Sequence, residues 1–363
     1  MKSRRTSSRI HLVGAGGAGM LPLAIILKQA GNSVSGEDDA LTSTAWKYLD
    51  KRNIKVATLE SLEDSEAVET VVRSSAINDR HPSIVEAKNL GCRILARGEQ
   101  LAELVEDKRL IAVAGSHGKT STCGILIDLL EEFEVYPSYA IGGLFSNGKD
   151  PGCWNDSDWA VVEVDESDGT IESFNPDVSI ILNIDHDHHA YYRHFDDYLA
   201  SFSRLFDRTK NKVVLPASIR EVFREKVDCD KIIWADQEEL PTIKSNQIGA
   251  YSRRNQRAAL AGLGAAGIRI PEKLEMGFTA IARRQSILYR SPEVIVFEDY
   301  AHHPAEIRAF REALEEAFSG PLSVVFQPHR YSRTLNLKSE LAEELAKFNS
   351  TCLLDVYSAA ESK

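Results

Sequence analysis

The sequence predicts an α/β protein of three consecutive domains with mostly parallel sheets. Short apolar runs alternate with segments of helical periodicity along the whole chain, and this alternation is typical of strand–helix–strand units. Two glycine loops each follow an apolar run and precede a helical segment. A length of 363 residues is also more than one ordinary hydrophobic core holds.

The apolar runs divide the chain into three units, for which we predict the boundaries 1–107, 108–282 and 283–363. The first unit has predicted strands at residues 9–13, 32–35, 71–75 and 93–96, with helices at 20–30 and after Pro82. The second has predicted strands at 110–114, 159–164, 178–183 and 212–215, and a helix at 255–266. The third, which we expect to be shortened, has predicted strands at 294–297, 322–326 and 352–356 and a helix at 304–318.

Composition excludes several classes of protein. The net charge of −11 argues against a general nucleic-acid binder, which needs an excess of Lys and Arg. No segment approaches the roughly 18 uninterrupted apolar residues of a membrane-spanning helix, and the basic start leads into a strand-like run without an apolar signal core. The five cysteines are scattered without Cys-x-x-Cys spacing, which favours a reduced compartment. We therefore expect a cytoplasmic protein that does not bind nucleic acid and has no membrane span.

The first glycine loop has the spacing Gly-x-Gly-x-x-Gly at Gly14, Gly16 and Gly19. Glycines at this point let the amides at the start of a helix approach a diphosphate. Glu37 or Asp38 lies about where an acid would contact a ribose. By itself the motif is compatible with a dinucleotide site and with a plain tight turn.

The second glycine loop runs from Gly115 to Ser121 with the sequence Gly-Ser-His-Gly-Lys-Thr-Ser. In a phosphate loop the backbone amides surround a triphosphate, the lysine contacts its outer charges and the hydroxyl faces Mg²⁺, here Lys119 and Thr120. A chance Gly-Lys-Thr on the surface is the alternative, and the strand–loop–helix context favours the phosphate loop. A nicotinamide-dependent oxidoreductase would use the first loop but gives Lys119 no role. The two loops together favour a nucleotide-sugar diphosphate in the first unit and ATP in the second.

Polar side chains follow two neighbouring strands of the second unit. Glu163 lies at the carboxyl end of one, and three more acids follow before Gly169. An acid in this place holds Mg²⁺ in phosphate-loop enzymes, whereas a solvated loop is the alternative. Four of the ten histidines lie between His186 and His194, after the next strand. A zinc site there is conceivable, but the spacing fits no standard structural pattern.

Two motifs end consecutive strands of the third unit. Asp299 and Tyr300 precede a helix that begins at Pro304, a position where proline is favoured. The second motif, Gln-Pro-His-Arg-Tyr-Ser-Arg, contains Arg330 and Arg333. Arginines three residues apart lie on one helical face and can hold a carboxylate by paired hydrogen bonds. A helix cap with surface charge is the alternative for each motif.

These motifs, in this order, resemble those of the Mur ligases. The matching segments span nearly the whole chain: residues 11–20, 74–77, 115–122, 163–168, 183–188, 298–304 and 327–334. The phosphate loop marks the wider family, whereas the Asp-Glu-Ser-Asp, Tyr-Ala-His-His-Pro and Gln-Pro-His-Arg-Tyr-x-Arg strings point to its alanine-adding branch. The resemblance implies a Rossmann-like UDP-binding domain, a phosphate-loop ATP-binding domain and a truncated Rossmann-like C-terminal domain.

The resemblance also implies roles for individual residues. UDP-N-acetylmuramate would be bound by Gly14, Gly16, Gly17, Gly19, Ser74 and Arg97. ATP would be bound by Gly115, Ser116, His117, Gly118, Lys119, Thr120, Ser121, Asn255, Arg284 and Asp299. Thr120, Glu163 and His188 would hold Mg²⁺, with Lys119, Glu163 and His188 as the catalytic set. L-alanine would be bound by Tyr300, His329, Arg330 and Arg333.

The implied reaction is ATP-dependent ligation through an acyl phosphate, in peptidoglycan precursor synthesis. Where the family has Gly-Arg-His-Asn, this chain has Ser-Arg-Arg-Asn at residues 252–255. The family's third domain continues through further strands, so we expect an exposed apolar strand edge, covered by a second copy or a partner chain, or else a smaller self-sufficient unit. The alternatives are a non-catalytic homologue that binds nucleotide or UDP-sugar, and a ligase for another amino acid or a peptide.

Overall fold

The computed structural model describes residues 7–167, 169–185, 192, 194–226 and 229–359. The first unit forms one parallel five-stranded sheet in the order β3-β2-β1-β4-β5. Its elements are β1 (Arg9–Val13), α1 (Met20–Gln29), β2 (Ser33–Glu37), α2 (Ser43–Asp50), β3 (Lys55–Val56), β4 (Thr70–Arg73), α3 (Pro82–Asn89), β5 (Arg93–Ala96) and α4 (Arg97–Val105). Within the described ranges no helix is long and apolar enough to cross a membrane.

Helix α1 is apolar on every side and buries eight of its ten residues. A helix with this composition needs cover on more than one face. One face packs on the sheet of the first unit, and the other packs on the second unit, where a Cβ on Gly152 would lie 2.6 Å from the Pro22 carbonyl oxygen. The hydrophobic core therefore continues from the first unit into the second.

The second unit is built on a seven-stranded sheet in the order β12-β11-β10-β6-β9-β7-β8, in which only the β7–β8 pair is antiparallel. Central strands with both faces covered are expected to be mostly apolar, and β6, β9 and β10 are, apart from Arg109 and Glu163 at strand ends and Ser179 within β10. The elements are β6 (Arg109–Ala114), α5 (Lys119–Glu132), β7 (Ser138–Ala140), β8 (Gly152–Cys153), β9 (Trp159–Glu163), β10 (Val178–Ile181), α6 (Phe195–Arg208), β11 (Lys212–Leu215), β12 (Ile232–Trp234), β13 (Ile243–Lys244), α7 (Ala250–Ala265) and β14 (Leu274–Glu275). β13 and β14 form a separate parallel pair.

The third unit contains two separate strand pairs. Its elements are β15 (Ser286–Arg290), β16 (Ile295–Glu298), α8 (Pro304–Ala317), β17 (Ser323–Phe326), α9 (Tyr331–Asn336), α10 (Lys338–Leu345) and β18 (Ser350–Leu353). β15 and β16 are antiparallel, and β17 and β18 are parallel. Large apolar side chains are exposed on both pairs, among them Leu288 at 63%, Val325 at 69% and Leu353 at 62%.

The predicted fold class, α/β with mostly parallel sheets, is confirmed. Most predicted elements differ from the structure by one to three residues at their ends, whereas the helix expected at 255–266 is α7, which begins five residues earlier, at Ala250. Polar side chains occupy its buried face near the start, including Ser252, Asn255 and Gln256. A polar buried face does not show as apolar periodicity, so the pattern missed the first turns.

Candidate active site

The first glycine loop lies against Ser74 and Arg97, the two residues predicted to assist it. A Cβ on Gly14, whose φ is +86°, would lie 3.0 Å from the Ser74 Cβ, and a Cβ on Gly19 would lie 2.8 Å from the Arg97 Cδ. The Gly16 amide donates to Asp38 Oδ2 at 2.9 Å. The structure therefore brings the predicted diphosphate-binding residues together where β1 ends and α1 begins.

The two acids left open for the ribose position differ in their surroundings. Glu37 is buried, and His11 lies 3.4 Å from its carboxylate. Burial disfavours the charged form of Glu37, but hydrogen bonds from His11 and Ser83 outweigh this effect and lower its pKa. Asp38 instead contacts the loop itself through the Gly16 amide. Asp38 is therefore the acid of the two that contacts the glycine loop through its side chain.

The phosphate loop is closely packed where two of its glycines lie. A Cβ on Gly115, with φ +130°, would lie 3.0 Å from the Asn183 carbonyl oxygen. A Cβ on Gly118, with φ +85°, would lie 2.9 Å from Asn255 Oδ1. Each position therefore favours glycine for two reasons: a side chain would lie too close to the neighbouring residue, and other residues are disfavoured at positive φ. Asn255 of α7 is thus adjacent to the phosphate loop.

Lys119, the first residue of α5, contacts an acid that the prediction did not assign. Its Nζ donates to both Glu166 oxygens, at 2.8 and 3.0 Å, and to the Gly115 carbonyl at 2.6 Å. The Glu166 side chain is fully buried. Burial opposes the charge on Lys119, but Glu166 and the neighbouring Asp165 outweigh it and raise the lysine pKa. Lys119 is therefore a fixed cation in the loop.

Asp165 connects the phosphate loop with the first glycine loop. Arg97 Nη2 lies 3.6 Å from Asp165 Oδ2. Burial opposes the charged form of Asp165, but Lys119 and Arg97 overcome this and lower its pKa to about 2. A row of alternating charges therefore joins the predicted UDP site to the predicted ATP site.

Glu163 and Thr120, two of the predicted Mg²⁺ ligands, approach the same turn. Glu163 Oε2 accepts a hydrogen bond from the Gly142 amide at 2.7 Å. A Cβ on the next residue, Gly143, would lie 2.9 Å from Thr120 Cγ2. The third predicted ligand, His188, lies outside the described residues, as do His186, His189 and Asp168.

A cavity of about 520 Å³ lies between the second unit and the third. Cavities of roughly 300–1,000 Å³ are the size that small ligands and cofactors occupy. Apolar and polar groups both line it, including Phe278, Ile281, Tyr251 and Gln285. Six residues predicted to bind ATP are among the lining: His117, Gly118, Ser121, Asn255, Arg284 and Asp299.

The predicted amino-acid residues of the third unit form a ring-rich cluster. His329 lies 6.3 Å from the Tyr300 ring and 5.4 Å from the Tyr357 ring, centroid to centroid. Arg283 lies over the Tyr300 ring at 4.7 Å. Burial and the neighbouring cations His302, Arg333 and Arg330 lower the pKa of His329 to about 4, so its imidazole is neutral at pH 7. Among the described residues its buried Nδ1 has no hydrogen-bond partner.

Arg330 has a backbone conformation that favours its predicted role. Its φ of +71° is in the left-handed region, which costs a non-glycine residue roughly 1–2 kcal/mol. The Arg330 amide donates to the Tyr357 carbonyl at 2.8 Å and stabilises this turn. Strained residues held by their surroundings concentrate at functional sites. Arg330 is the N-cap residue of α9 and Arg333 lies within this helix, and the charges of both lower the pKa of His329.

Several residues of the site were not predicted. The sequence assigns no individual role to Glu166, Gln285 or Glu306. The tight spacing of acids after β9 was the only signal for Glu166, because its pairing with Lys119 spans 47 residues. Glu306 had a local signal, since it is the third residue of a helix that begins with proline and is placed to form a capping box.

An α/β fold with a phosphate loop, an acid at the end of the adjacent strand and a cavity closed by a further unit defines a phosphate-loop nucleotide enzyme. Two family models match the chain. The model of the Mur ligase family, catalytic domain, matches residues 9–109, and the model of the Mur ligase middle domain matches residues 113–239. The chain belongs to the Mur ligase family.

Individual relatives agree with this assignment. The chain is 34% identical over 390 residues to the UDP-N-acetylmuramate–L-alanine ligase of Streptomyces avermitilis, covering 97% of this chain and 83% of that protein. It is 31% identical over 398 residues to the ligase of the same name from Vesicomyosocius okutanii, covering 99% and 84%. The crystal structure of the UDP-N-acetylmuramate–alanine ligase from Thermotoga maritima matches with a TM-score of 0.79 and 25% identity, covering 96% of this chain and 85% of that one.

Proposed function

We propose that this chain is an ATP-dependent ligase that joins L-alanine to the carboxylate of UDP-N-acetylmuramate, a step of peptidoglycan precursor synthesis. The observation that carries the proposal is the cavity between the second and third units, whose lining combines the phosphate loop with Asn255, Arg284 and Asp299. The ligases named above, which span nearly the whole of this chain, support the same reaction.

We assign the three substrates to three units. Residues 1–107 bind the sugar nucleotide through the glycine loop, Ser74 and Arg97. Residues 108–282 bind ATP, and residues 283–363 supply the amino-acid site. The row of charges from Arg97 through Asp165 to Lys119 supports this order, because it joins the first site to the second.

The reaction has two steps. The muramyl carboxylate attacks the γ-phosphorus of ATP, the bond from that phosphorus to the bridging oxygen breaks, and ADP leaves an acyl phosphate behind. The amine of L-alanine then attacks the acyl carbon, inorganic phosphate leaves, and the amine gives up a proton. Phosphoryl transfer depends mainly on positioning and on neutralising charge. Lys119, charged and held by Glu166 and Gly115, supplies a fixed cation at the phosphate loop.

The residues present fit a magnesium ion. Thr120 and Glu163 both approach the Gly142–Gly143 turn, and they offer the oxygen ligands that Mg²⁺ prefers. One or two protein ligands suffice, because Mg²⁺ keeps several waters and binds substrate phosphates. When bound, the ion neutralises charge on the phosphate oxygens. We propose His188 as a further ligand on the ground of the family resemblance alone.

The third unit fits an amino acid through charge and shape. Arg330 and Arg333 supply cations for the carboxylate. His329, neutral and with a buried Nδ1 that has no partner among the described residues, supplies a further polar contact. The Tyr300 and Tyr357 rings flank His329. We therefore propose these residues as the L-alanine site.

We propose two properties of the protein in the cell. Because both nucleotide substrates are cytoplasmic, we expect the reaction to take place in the cytoplasm. The exposed apolar residues of the two strand pairs, such as Leu288, Val325 and Leu353, are an association surface for a second copy or a partner chain. We expect sedimentation to show species heavier than a monomer, and the variant Val325→Lys to shift them toward the monomer. A wild-type monomer at every concentration would contradict association with a second copy and leave a partner chain as the alternative.

The activity is tested by measuring ADP and phosphate release with ATP, Mg²⁺ and UDP-N-acetylmuramate, with and without L-alanine. We expect release that requires both the sugar nucleotide and the amino acid. Lys119→Ala should reduce it by roughly a hundredfold to a thousandfold, the loss typical for one charge-stabilising group. Lys244→Ala is the control, because this lysine is 78% exposed and distant in sequence from the loops. Binding of the sugar nucleotide without any release would favour a non-catalytic homologue, and release with another amine would favour a different acceptor.

A further inference from the structure

The carboxylate of Glu306 lies where the third unit meets the phosphate loop. Its Oε1 lies 3.2 Å from Nδ1 of His117, a residue of the loop itself. Arg284 Nη1 lies 3.8 Å from the same oxygen. Both the glutamate and the histidine line the nucleotide cavity, and their side chains are only 12% and 13% exposed.

Glu306 is fixed rigidly to its own unit. Its Oε2 accepts hydrogen bonds from the backbone amides of His302 and His303, at 3.0 and 3.3 Å. The His303 side chain in turn accepts from the Ala305 amide, which completes a capping box at the start of α8. Because one oxygen is committed to the helix start, the other is held in a single direction, toward the phosphate loop.

His117 is fixed just as firmly to the second unit. Its backbone amide donates to Asn183 Oδ1 at 2.8 Å, and its carbonyl accepts from Asn183 Nδ2 at 3.0 Å. On the far side of its ring, Nε2 lies 3.3 Å from Asp185 Oδ2. The His117 ring also lies 4.9 Å from the His303 ring, centroid to centroid. The side chain of His117 therefore reaches from the loop to Glu306 of the third unit.

The charges of the two side chains suit a desolvated contact. Burial opposes the imidazolium form, but hydrogen bonds to Asp185 and Glu306 outweigh it and raise the pKa of His117 to about 9. Hydrogen bonds between charged partners are roughly twice as strong as neutral ones. The ion pair between Arg253 of α7 and Glu316 of α8 is of a different kind, because both side chains are more than half exposed, and such pairs contribute little.

We propose that Glu306 is a positioning residue, which orients the third unit over the phosphate loop by binding His117. The contact sets the distance between the proposed amino-acid site (Tyr300, His329, Arg330 and Arg333) and the phosphates in the loop. The amine of the amino acid can therefore reach the acyl phosphate only when the contact is formed. This inference rests on the proposed ligase function for its kinetic consequence, but not for the contact itself. Glu306 makes no direct contribution to the chemical steps.

The test compares Glu306→Gln with Glu316→Gln, a matched variant on the same helix whose carboxylate also meets the second unit but is exposed. Amide hydrogen–deuterium exchange of the free full-length chain measures the contact without any substrate. We expect E306Q to increase exchange in the segment 115–121 by about tenfold, the effect of losing one charge-assisted hydrogen bond. E316Q should leave it unchanged. Equal exchange in the two variants would overturn the proposal.

Steady-state kinetics give the second readout. We expect E306Q to lower kcat by about tenfold or more and to change KM for the sugar nucleotide little, since the first unit does not touch this contact. The variant His117→Gln should show the same change in exchange, and the double variant should be no worse than either single one. Additive effects would overturn the proposal, as would a lower kcat with unchanged exchange. If the wild type has no ligase activity, the exchange measurement still tests whether Glu306 binds His117. The proposed ligase function and the positioning role of Glu306 can therefore fail separately.

Discussion

At the scale of single residues, the pairing of Lys119 with Glu166 determines how the phosphate loop is charged. Two buried charges are stable together only if each satisfies the other. Glu166 is fully buried and contacts Lys119 through both oxygens, so either partner alone would be a desolvated charge. A nucleotide phosphate could replace Glu166 as the partner of the lysine. The pair therefore keeps the lysine in place before the substrate arrives.

We predict that Glu166→Ala lowers the free energy of unfolding by about 3 kcal/mol, the cost of leaving a buried charge unpaired. A saturating ATP analogue should restore part of this loss, because its phosphates give Lys119 a new partner. Thermal unfolding with and without the analogue measures both effects. Glu172→Ala is the control, since Glu172 pairs with Arg204 at an exposed position and should cost less than about 1 kcal/mol. Similar losses in the two variants would contradict the role given to the buried pair.

At the scale of elements, the start of α4 packs directly on the acidic loop after β9. A Cβ on Gly98 would lie 1.9 Å from Thr170 Oγ1 and 2.4 Å from Thr170 Cβ. Thr170 begins a short 3-10 turn, Thr170–Ser173. Arg97, the residue before Gly98, contacts both Gly19 and Asp165. The packing of one helix turn on another therefore aligns the sugar-nucleotide loop with the acids beside Lys119.

We predict that Gly98→Ala lowers stability by about 1–3 kcal/mol, as overpacking does, and raises KM for UDP-N-acetylmuramate by moving Arg97. The clash should be relieved in the double variant with Thr170→Gly. Gly264→Ala is the matched control, because no atom lies within 4 Å of its added Cβ and alanine is favoured in helices. Denaturation curves and initial rates measure the two effects. An unchanged KM in a destabilised Gly98→Ala variant would show that the packing does not align the substrate.

How much of this could be predicted depends on whether the signal was local. The strands, the two glycine loops and Glu163 are read from neighbouring residues, and the structure places Ser74 and Arg97 against the first loop as the resemblance implied. The pairings of Lys119 with Glu166 and of His117 with Glu306 join residues 47 and 189 positions apart. No periodicity or spacing specifies such pairs, because they arise only when separate units pack together. The start of α7 was missed for a related reason, since its buried face is polar.

At the scale of the whole molecule, two histidines give the stability a predictable dependence on pH. His117 has a folded-state pKa of about 9, above the value of about 6.5 for an unfolded chain. The contribution of His117 to the free energy of unfolding is fully present below pH 6.5 and is lost as the pH rises to 9. His329 has a folded-state pKa of about 4, so its contribution is present above pH 6.5 and is lost as the pH falls toward 4.

We therefore predict that the melting temperature is highest near pH 6.5 and decreases on both sides. His117→Gln should flatten the decrease between pH 6.5 and 9. It should also change the acid side, because the hydrogen bond from His117 helps to lower the pKa of Glu306. Thermal unfolding across this pH range in a constant ionic strength measures both limbs. An alkaline limb that is the same in His117→Gln would show that other groups cause it.

The closeness of the second and third units determines the shape of the nucleotide cavity, and a glycine at their boundary makes this closeness possible. A Cβ on Gly249 would lie 2.3 Å from the Ala313 Cβ, so α7 and α8 could not approach as they do.

We predict that Gly249→Ala weakens binding of an ATP analogue by about tenfold or more, because α8 carries Glu306 and forms one wall of the cavity. The φ of +86° adds a strain of roughly 1–2 kcal/mol, and Ala313→Gly in the same chain should relieve the contact but not this strain. Partial recovery of the dissociation constant in the double variant, measured by calorimetry, would separate the two causes. Unchanged binding in Gly249→Ala would mean that the cavity forms without close approach of the two helices.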